Sequence, residues 1–399
     1  MKQLKNFFRI LFFLFCTVRG VSAQPGANPP TEYFDSVEVS LLTCSPHEEI
    51  YSLYGHSALR WHDLHQQGVH QGEDIAFNWG VFNFEGAFFV IRFVFGLTDY
   101  ELGLIPYDKF CAYYKYWNSS VTEQVLNLSN AEKQKLREYL VENLLPENRV
   151  YRYNFFYDNC STRPRNIIER CLTGKLEYAQ REEYTPTYRE MVGFSTRNHP
   201  WARFGNDILL GVKADLKTDL RQQEFLPENL MFDFDHAKIY ANGVYSPLVK
   251  ERRIAVPPGV QIIERDFPLS PMECACLLLA LSILISVIEL KRKKTLVLWD
   301  VILMTMQGLA GCVLFVMLFS QHPATSTNLQ ILLLNPVPFF FLPAVIRRKP
   351  TRWQNILFVM IILFFVGGIL QRYAEGMYIV ALCLLIRACV HYHLNKKSS

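Results

Sequence analysis

The sequence predicts an α+β domain followed by an all-α membrane domain of about five helices. The chain has 399 residues, 50% of them hydrophobic, and the apolar residues are unevenly distributed. Residues 24–268 are polar enough for one large domain with a substantial core, whereas long apolar runs dominate residues 269–399. Residues 1–23 combine a basic start, an apolar run and the small residues Val21-Ser22-Ala23, which is the pattern of a secretion signal peptide.

The α+β assignment rests on patterns within residues 24–268. Alternating or short apolar stretches predict strands at Ser36–Thr43, Ser57–Trp61, Ile75–Phe84 and Val150–Phe156. Helical patterns cover Ala87–Phe95 extended through Tyr100, Asn130–Leu144 with Ser129 or Asn130 as its cap, a turn at Glu48–Leu53 and the segment after Cys160. These elements predict a small sheet with helices on one side. Residues 171–268 are of mixed character and predict no element.

Five apolar segments predict the membrane helices. They are Cys274–Leu290, Leu296–Phe319, Leu329–Ile346, Trp353–Leu370 and Met377–Val390, the last being short for a span. Clusters of Lys and Arg follow the first, third and fifth segments. The connections after the second and fourth segments contain Arg372 as their only Lys or Arg residue. Since positively charged loops stay in the cytoplasm, this distribution predicts that residues 24–268 lie on the opposite side of the membrane. A cleaved signal peptide requires the same orientation.

Charge and cysteine content exclude several classes of protein. The net charge of +4 is modest and much of the basic excess lies in the predicted cytoplasmic loops, so nucleic acid is not an expected partner. Residues 24–268 contain only Cys44, Cys111, Cys160 and Cys171, which is not a dense disulfide framework. The sequence leaves a Cys44–Cys111 bridge open. These residues contain no Cys-x-x-Cys or His-x-x-x-His pair, so no metal or other cofactor is expected.

Cys160 is the candidate nucleophile. It stands in the polar run Asp158-Asn159-Cys160-Ser161-Thr162, between a predicted strand and a predicted helix. The positive end of a helix dipole stabilises a thiolate, the form of cysteine that attacks carbonyls. The candidate base is His56, which follows Gly55. The alternatives are that the cysteine is a buried structural residue or half of a disulfide, and that the histidine is structural.

A third group often orients the imidazole in such sites. Asn78 on the next predicted strand is the first choice, Asp158 the second and His62 the third. Arg163 and Arg165 follow the cysteine, and they either bind a lipid phosphate or pair with acidic neighbours.

Four motifs carry a resemblance to a known family. They are YGHSALR (54–60), FNWGVFNF (77–84), YRYNFFYDNCSTRPR (151–165) and HPATSTN (322–328). They resemble the Lnb family, membrane proteins of Bacteroides-type bacteria that N-acylate lipoproteins. The resemblance implies a multi-pass inner-membrane protein whose N-terminal thiol domain lies in the periplasm. The broader similarity is to permuted papain-like thiol enzymes such as lecithin–retinol acyltransferase, and it implies His56 and Cys160 as the catalytic pair.

Three functions follow from these observations. In the first, a cysteine-dependent acyltransferase moves an acyl chain from a phospholipid, through a thioester, to the N-terminal amine of a diacylglyceryl-cysteine lipoprotein. In the second, the same dyad belongs to a periplasmic cysteine peptidase or amidase that acts on cell-wall peptides, although a soluble substrate needs no membrane spans. In the third, the chain is a non-catalytic membrane receptor or scaffold, which the two catalytic motifs disfavour.

The membrane domain also contains two candidate substrate-binding residues. The loop from His322 to Asn328 is predicted to lie on the same side of the membrane as Cys160. Asn335 follows within an apolar run that contains Pro336 and Pro338, where proline removes backbone hydrogen bonds and an amide is costly in lipid. Either this segment is a kinked helix with a satisfied asparagine, or His322 and Asn335 form the floor of a groove for lipid.

Overall fold

A computed structural model describes residues 29–67, 70–81, 92, 95–180, 185–261, 267–349 and 352–396. The predicted signal peptide and most of the apolar segment Ala87–Phe95 lie outside the described residues. The described chain forms a sheet-rich N-terminal domain with helices, followed by a C-terminal helical region.

The N-terminal domain contains twelve strands among its described residues. They are β1 Val37–Cys44, β2 His56–Asp63, β3 Gln66–Gln67, β4 His70–Gln71, β5 Asp74–Val81, β6 Asp99–Pro106, β7 Val121–Leu126, β8 Val150–Arg152, β9 Lys175–Glu177, β10 Lys238–Ala241, β11 Val244–Pro247 and β12 Val249–Val256. Seven of them form one sheet in the order β12-β7-β1-β2-β5-β6-β8, with every neighbouring pair antiparallel. A three-stranded sheet (β11-β10-β9) and the β3–β4 pair complete the set.

The helices of the same domain connect and cover these strands. They are α1 Tyr107–Tyr116, α2 Asn130–Leu144, α3 Pro146–Arg149, α4 Thr162–Cys171, α5 Tyr188–Ser195, α6 Pro200–Leu209, α7 Leu220–Gln223 and α8 Pro227–His236. Short 3₁₀ helices occur at Thr31–Ser36, Ile50–Ser52 and Val212–Asp215. The predicted helix Asn130–Leu144 is confirmed with its cap, because the Ser129 side chain and the Glu132 carboxylate bond each other's backbone N–H groups.

The large sheet buries both of its faces. On one face Leu41, Leu59 and other apolar side chains pack against α2, α4 and α8, and on the other face Leu42 and Ala58 pack against α1. The prediction of a small sheet with helices on one side is therefore wrong. β7 shows the reason, since all six of its residues are buried and it lacks the polar–apolar alternation of a half-exposed strand.

Two predicted element boundaries need correction. The strand that leads toward Cys160 ends at Arg152 rather than Phe156, because Asn154 and Asp158 bond each other's backbone groups and turn the chain. Tyr100, predicted to extend a helix, lies in β6 and stacks on Tyr153 with ring centroids 4.3 Å apart.

The C-terminal region contains five described α-helices. They are α9 Pro271–Arg292, α10 Val297–Met317, α11 Pro338–Ile346, α12 Trp353–Gly367 and α13 Met377–Lys396. Three of the helices in the described chain, α9, α10 and α13, are long and apolar enough to cross a membrane. The fifth predicted span, Met377–Val390, is short for a membrane helix in the sequence prediction. In the structure it lies within the longer helix α13, which is one of these three.

The third predicted span, Leu329–Ile346, is not a continuous helix. It consists of a 3₁₀ turn at Leu329–Leu332, an irregular stretch and then α11. Pro336 and Pro338 cannot donate backbone hydrogen bonds, which breaks the helical pattern. Gly311 of α10 accommodates the break, since a Cβ there would overlap the backbone of Asn335, and Gln307 Nε2 donates to the Leu333 carbonyl at 2.7 Å. The irregular backbone is thus packed against protein.

A buried ion pair network links three strands on the α1 face of the large sheet. Arg60 of β2 donates from Nε and Nη2 to the Asp74 carboxylate at 2.7 Å each, and from Nη1 to Glu123 Oε1 at 2.8 Å. Its guanidinium also lies 3.5 Å from the centre of the Tyr107 ring. Arg60 and Glu123 are only 7% and 3% exposed, so neither charge has water as an alternative partner.

We expect Arg60→Ala to lower the free energy of unfolding by about 3–5 kcal/mol, because it leaves the Glu123 carboxylate buried without its partner. Thermal unfolding of the detergent-solubilised protein, followed by tryptophan fluorescence, measures the change. Arg253→Ala is a control, since Arg253 pairs with Glu38 and Glu251 at a more exposed edge of the same sheet. Equal melting temperatures for wild type and Arg60→Ala would show that the network contributes no stability.

Candidate active site

The loop that carries Cys160 is held by the side chain of Asn159. Asn159 Oδ1 accepts hydrogen bonds from the backbone N–H groups of Ser161 at 2.9 Å and Thr162 at 3.0 Å. Its Nδ2 donates to the carbonyls of Phe155 at 2.9 Å and Phe225 at 2.8 Å. Because these contacts use every polar atom of a side chain that is 2% exposed, they fix Cys160 just before the N-terminus of α4.

His56 stands at the first position of β2, directly after Gly55. Gly55 has φ +74°, and a Cβ at this position would lie 2.7 Å from the carbonyl oxygen of Cys44 on β1. Only glycine fits both conditions without strain. The chain therefore turns tightly beside β1 and begins β2 at the end of the sheet where the Cys160 loop lies.

Asn78 is the residue that the structure brings to His56. The register of β2 and β5 pairs Leu59 with Phe77, so His56 and Asn78 are diagonal neighbours on one face of the sheet. His56 Nε2–H donates to Asn78 Oδ1 at 2.6 Å. This bond leaves Nδ1 as the ring nitrogen available to Cys160, which is close enough to His56 that each group shifts the pKa of the other.

Cys160 and His56 shift each other's pKa values in the directions of an ion pair. Burial by itself raises the pKa of the Cys160 thiol, but the charge of His56 and their hydrogen bond hold that pKa below its ordinary value. Burial likewise opposes the charged form of His56, yet the Cys160 charge and the bonds to Cys160 and Asn78 leave the pKa of His56 raised. Each shift is toward the charged form, the thiolate for Cys160 and the imidazolium for His56.

Three further residues lie near the thiol, and the sequence patterns did not single them out. Ser57 and Ser161 help to lower the pKa of Cys160 against the effect of burial, and burial together with the Cys160 charge raises the pKa of Tyr153. The hydroxyls of Ser57 and Ser161 lie 3.1 Å apart and join β2 to the start of α4. Their only signal in the sequence is adjacency to His56 and Cys160.

Asp158 and Arg163 form a pair of their own. Arg163 donates from Nε and Nη2 to the two Asp158 carboxylate oxygens at 2.7 Å each, and its guanidinium lies 3.4 Å from the centre of the Tyr151 ring. In this arrangement Asp158, the second choice for the orienting group, is engaged with Arg163. Arg163 keeps a side-chain exposure of 20%.

The structure does not bring Arg165 or His62 to the thiol. Arg165 is 5% exposed and its Nη1 donates to Glu224 Oε2 at 2.7 Å, which favours the ion-pair interpretation over a phosphate site. His62 lies six residues beyond His56 on the same strand, about 20 Å away at the usual rise of a strand. Its Nε2 is 3.8 Å from Asp74.

The two candidate residues of the helical region lie in the connection between α10 and α11. The His322 backbone N–H donates to Ser320 Oγ at 3.2 Å, and its carbonyl accepts from Thr325 Oγ1 at 3.0 Å. Asn335 is 3% exposed, and its Oδ1 accepts from the Val337 N–H at 3.1 Å. Its partners lie in its own loop and on α12, where Met360 Sδ is 3.6 Å away, which favours a structural role.

An aromatic cluster joins the Cys160 loop to the helical region. Phe156 stacks on Tyr188 of α5 with ring centroids 4.2 Å apart and packs against Phe225. Ala324, from the loop after α10, is buried in the same cluster, and Tyr54 packs at its edge. The Cys160 loop therefore packs against the loop that follows α10.

The pKa directions predict how Cys160 reacts with pH. In the wild type we expect alkylation of Cys160 by a small uncharged reagent to persist below the range of an ordinary thiol, about pH 8.5. His56→Ala should move the midpoint above that range, because burial then acts on the thiolate without a compensating charge. The measurement is the rate of modification of the Cys160 peptide by mass spectrometry between pH 5 and pH 10.

Asn78→Leu should give a smaller upward movement of the same midpoint, since it removes the bond that helps keep His56 protonated. Cys171, which is buried and whose pKa is raised by burial, should remain unmodified in each folded sample, so its alkylation would report unfolding. An unchanged midpoint in His56→Ala would show that the two side chains do not form an ion pair.

Two protein-family models match successive parts of the chain. Residues 31–193 match the model of the Lnb N-terminal periplasmic domain, and residues 262–399 match the model of the Lnb transmembrane domain. No curated protein and no solved structure matches the chain. The first match contains His56, Asn78 and Cys160, and the second contains the loop that carries Ala324. With both domain models matched in the order of the chain, the protein belongs to the Lnb family of membrane proteins.

Proposed function

We propose that the protein is a cysteine-dependent acyltransferase. It takes an acyl chain from a phospholipid, holds the chain as a thioester on Cys160 and passes it to the N-terminal amine of a diacylglyceryl-cysteine lipoprotein. The observation that supports this most directly is that Cys160, His56 and Asn78 form one site, while Phe156 of the Cys160 loop packs in the same cluster as Ala324. On this proposal the three residues supply an activated nucleophile, and the contact with the Ala324 loop keeps that nucleophile near the membrane surface, where both substrates reside.

In the first half-reaction the Cys160 thiolate attacks the carbonyl carbon of the phospholipid ester. A carbon–sulfur bond forms and the carbon–oxygen ester bond breaks. The His56 imidazolium gives its proton to the departing glycerol oxygen, and a lysophospholipid leaves. Asn78 keeps the imidazole ring oriented through Nε2 while Nδ1 exchanges the proton.

In the second half-reaction the lipoprotein amine attacks the thioester carbonyl. A carbon–nitrogen bond forms, the carbon–sulfur bond breaks, and His56 accepts a proton from the attacking nitrogen. The products are an N-acylated lipoprotein and the thiolate–imidazolium pair, ready for another phospholipid. No step consumes an external cofactor.

The negatively charged oxygen of each tetrahedral intermediate needs hydrogen-bond donors. The N–H groups of Ser161 and Thr162 already bond Asn159, so the start of α4 has fewer donors than its position suggests. We assign this role to the backbone N–H of Cys160 and to the hydroxyl of Tyr153, whose pKa is raised by burial and by the nearby Cys160 charge.

The proposal includes the fold relationship and the orientation. A histidine on a strand that precedes the cysteine helix in sequence is the order of a permuted papain-like enzyme, and β2 and α4 have that order. The proposed domains are residues 24–268 in the periplasm and 269–399 in the inner membrane. Lys291 and Arg292 at the end of α9 then lie in the cytoplasm, away from the loops that contact the thiol domain.

A peptidase or amidase would use the same dyad. The packing of Ala324 into the aromatic cluster beside Cys160 favours a lipid substrate instead, because a soluble cell-wall peptide gains nothing from a site seated on membrane-helix loops. The two activities share the thiol and differ in the acyl donor.

We expect Cys160→Ala and Cys160→Ser to abolish N-acylation and His56→Ala to reduce it by about 10²–10⁴-fold, the usual contribution of a general acid–base group. Mass spectrometry of a lipoprotein N-terminus, from cells with and without each variant, gives the readout. Cys171→Ala is the matched control, since Cys171 is buried at the far end of α4 and bonds the Ile168 carbonyl. Wild-type activity in Cys160→Ala would eliminate the thiol mechanism.

The thioester should also be detectable without the acceptor. Incubating the protein with phospholipid alone should add one acyl mass to Cys160, and hydroxylamine should remove it. The Cys160→Ala protein should show no adduct. Transfer that occurs only when both substrates are present, with no labile adduct under any trapping condition, would contradict the two-step scheme.

A further inference from the structure

The C-terminus of α6 is hydrogen-bonded to side chains of the helical region. The last carbonyls of an α-helix have no partner within the helix and must find one elsewhere. The Asp207 carbonyl accepts from Gln330 Nε2 at 2.9 Å, and the Ile208 carbonyl accepts from Asn328 Nδ2 at 2.6 Å. The Leu210 carbonyl, just beyond the helix, accepts from Gln371 Nε2 at 3.0 Å.

Asn328, Gln330 and Gln371 form one buried group, which we call the amide cluster. Asn328 Oδ1 accepts from the Gln330 backbone N–H at 3.1 Å and from Gln371 Nε2 at 3.0 Å. Gln371 Oε1 accepts from the Leu329 N–H at 2.6 Å, and Gln330 Oε1 accepts from the Ala374 N–H at 3.0 Å. The three side chains are 3%, 0% and 1% exposed, so each unmade bond would leave a buried polar atom unpaired.

Backbone bonds extend the same contact beyond α6. The Gly211 N–H donates to the Ala324 carbonyl at 2.7 Å, and the Val212 N–H donates to the Thr327 carbonyl at 2.8 Å. A Cβ at Gly211 would overlap the backbone of Thr327, so only glycine permits this approach. Both connecting loops of the helical region, after α10 and after α12, are thus attached to one end of α6.

One turn before its C-terminus, α6 is also hydrogen-bonded to the turn that precedes His56. Asn206 of α6 donates from Nδ2 to the Tyr54 hydroxyl at 2.8 Å. The Tyr54 ring packs against Phe155 of the Cys160 loop with centroids 4.7 Å apart. Tyr54 thus contacts the Cys160 loop through its ring, and it is joined to His56 through Gly55.

We propose that the amide cluster positions His56 against Cys160, acting through α6, Asn206 and Tyr54. On this proposal the loops of the helical region are part of the catalytic apparatus and not only an attachment. Asn328, Gln330, Gln371, Asn206 and Tyr54 are positioning residues, since none of them is the reacting group. The inference rests on the proposed function for its purpose, although its test uses no lipid.

Hydrogen bonds are suited to this role because they are directional. Apolar side chains of α6, including Phe204 and Ile208, also pack on the core of the helical region, but apolar contact tolerates sliding and rotation. Amide groups that bond successive carbonyls define the position of the helix end along and around its axis. The position of Asn206, one turn earlier, follows from that of the helix end.

The test is the pH midpoint of Cys160 alkylation in the full-length protein. Gln371→Met keeps the length of the side chain and removes its bonds to Leu210, Asn328 and Leu329. We expect the midpoint to rise by about one pH unit, which lowers the rate at pH 6 about tenfold. Gln307→Met is the matched control, because the Gln307 side chain also bonds a backbone carbonyl in the helical region, that of Leu333, rather than a carbonyl of α6. Its midpoint should equal that of the wild type.

A second pair of variants separates positioning from folding. Asn206→Leu should raise the midpoint of Cys160 alkylation as Gln371→Met does. Asn206→Asp should keep the wild-type midpoint, because its carboxylate can accept a hydrogen bond from the Tyr54 hydroxyl. In a Tyr54→Phe background, Asn206→Leu should have no further effect.

A lower melting temperature with an unchanged midpoint in both Gln371→Met and Asn206→Leu would overturn the proposal and leave the amide cluster as a structural anchor. An ordinary thiol midpoint already in the wild type would instead contradict the ion pair on which the proposed function depends. The two failures are therefore distinguishable.

Discussion

The structure depends on placing a thiol and an imidazole together away from water. Burial alone would raise the pKa of Cys160 and lower that of His56, and each group would then be neutral and a poor catalyst. Their contact reverses both directions, because each charge is the other's nearest compensation. The ion pair is favourable only at close range, so the elements that hold the two side chains must be rigid.

Two local features, one beside Cys160 and one beside His56, hold these elements in place. Asn159 bonds four backbone groups and fixes the loop before α4, while Gly55 lets the chain turn against β1 and begin β2 with His56. The hydroxyl contact between Ser57 and Ser161 joins these two elements directly. The antiparallel register of β2 and β5 then places Asn78 beside the ring.

The helical region contributes more than membrane-length helices. Its connecting loops enter the N-terminal domain through Ala324, which packs beside Phe156, and through the amide cluster at the end of α6. This arrangement gives a physical reason for joining a thiol domain to membrane helices in one chain. The proposed transfer between two lipids requires a site at the membrane surface, and contact with the loops of the helical region would keep the thiol site at a fixed distance from that surface.

The sequence by itself determined the local features of this protein. The apolar runs separated the helical region from the sheet-rich domain, and the Ser129 cap located α2. The polar run around Cys160 and the Gly55-His56 pair named the two central residues of the candidate site, because such signals reside in neighbouring residues. Only the tertiary structure decided the rest. Asn78 and not Asp158 meets His56 because of strand register, Arg165 is buried against Glu224, and β7 is covered on both faces and so lacks a strand pattern. The amide cluster joins residues more than a hundred positions apart, and no periodicity in the sequence records a contact at that separation.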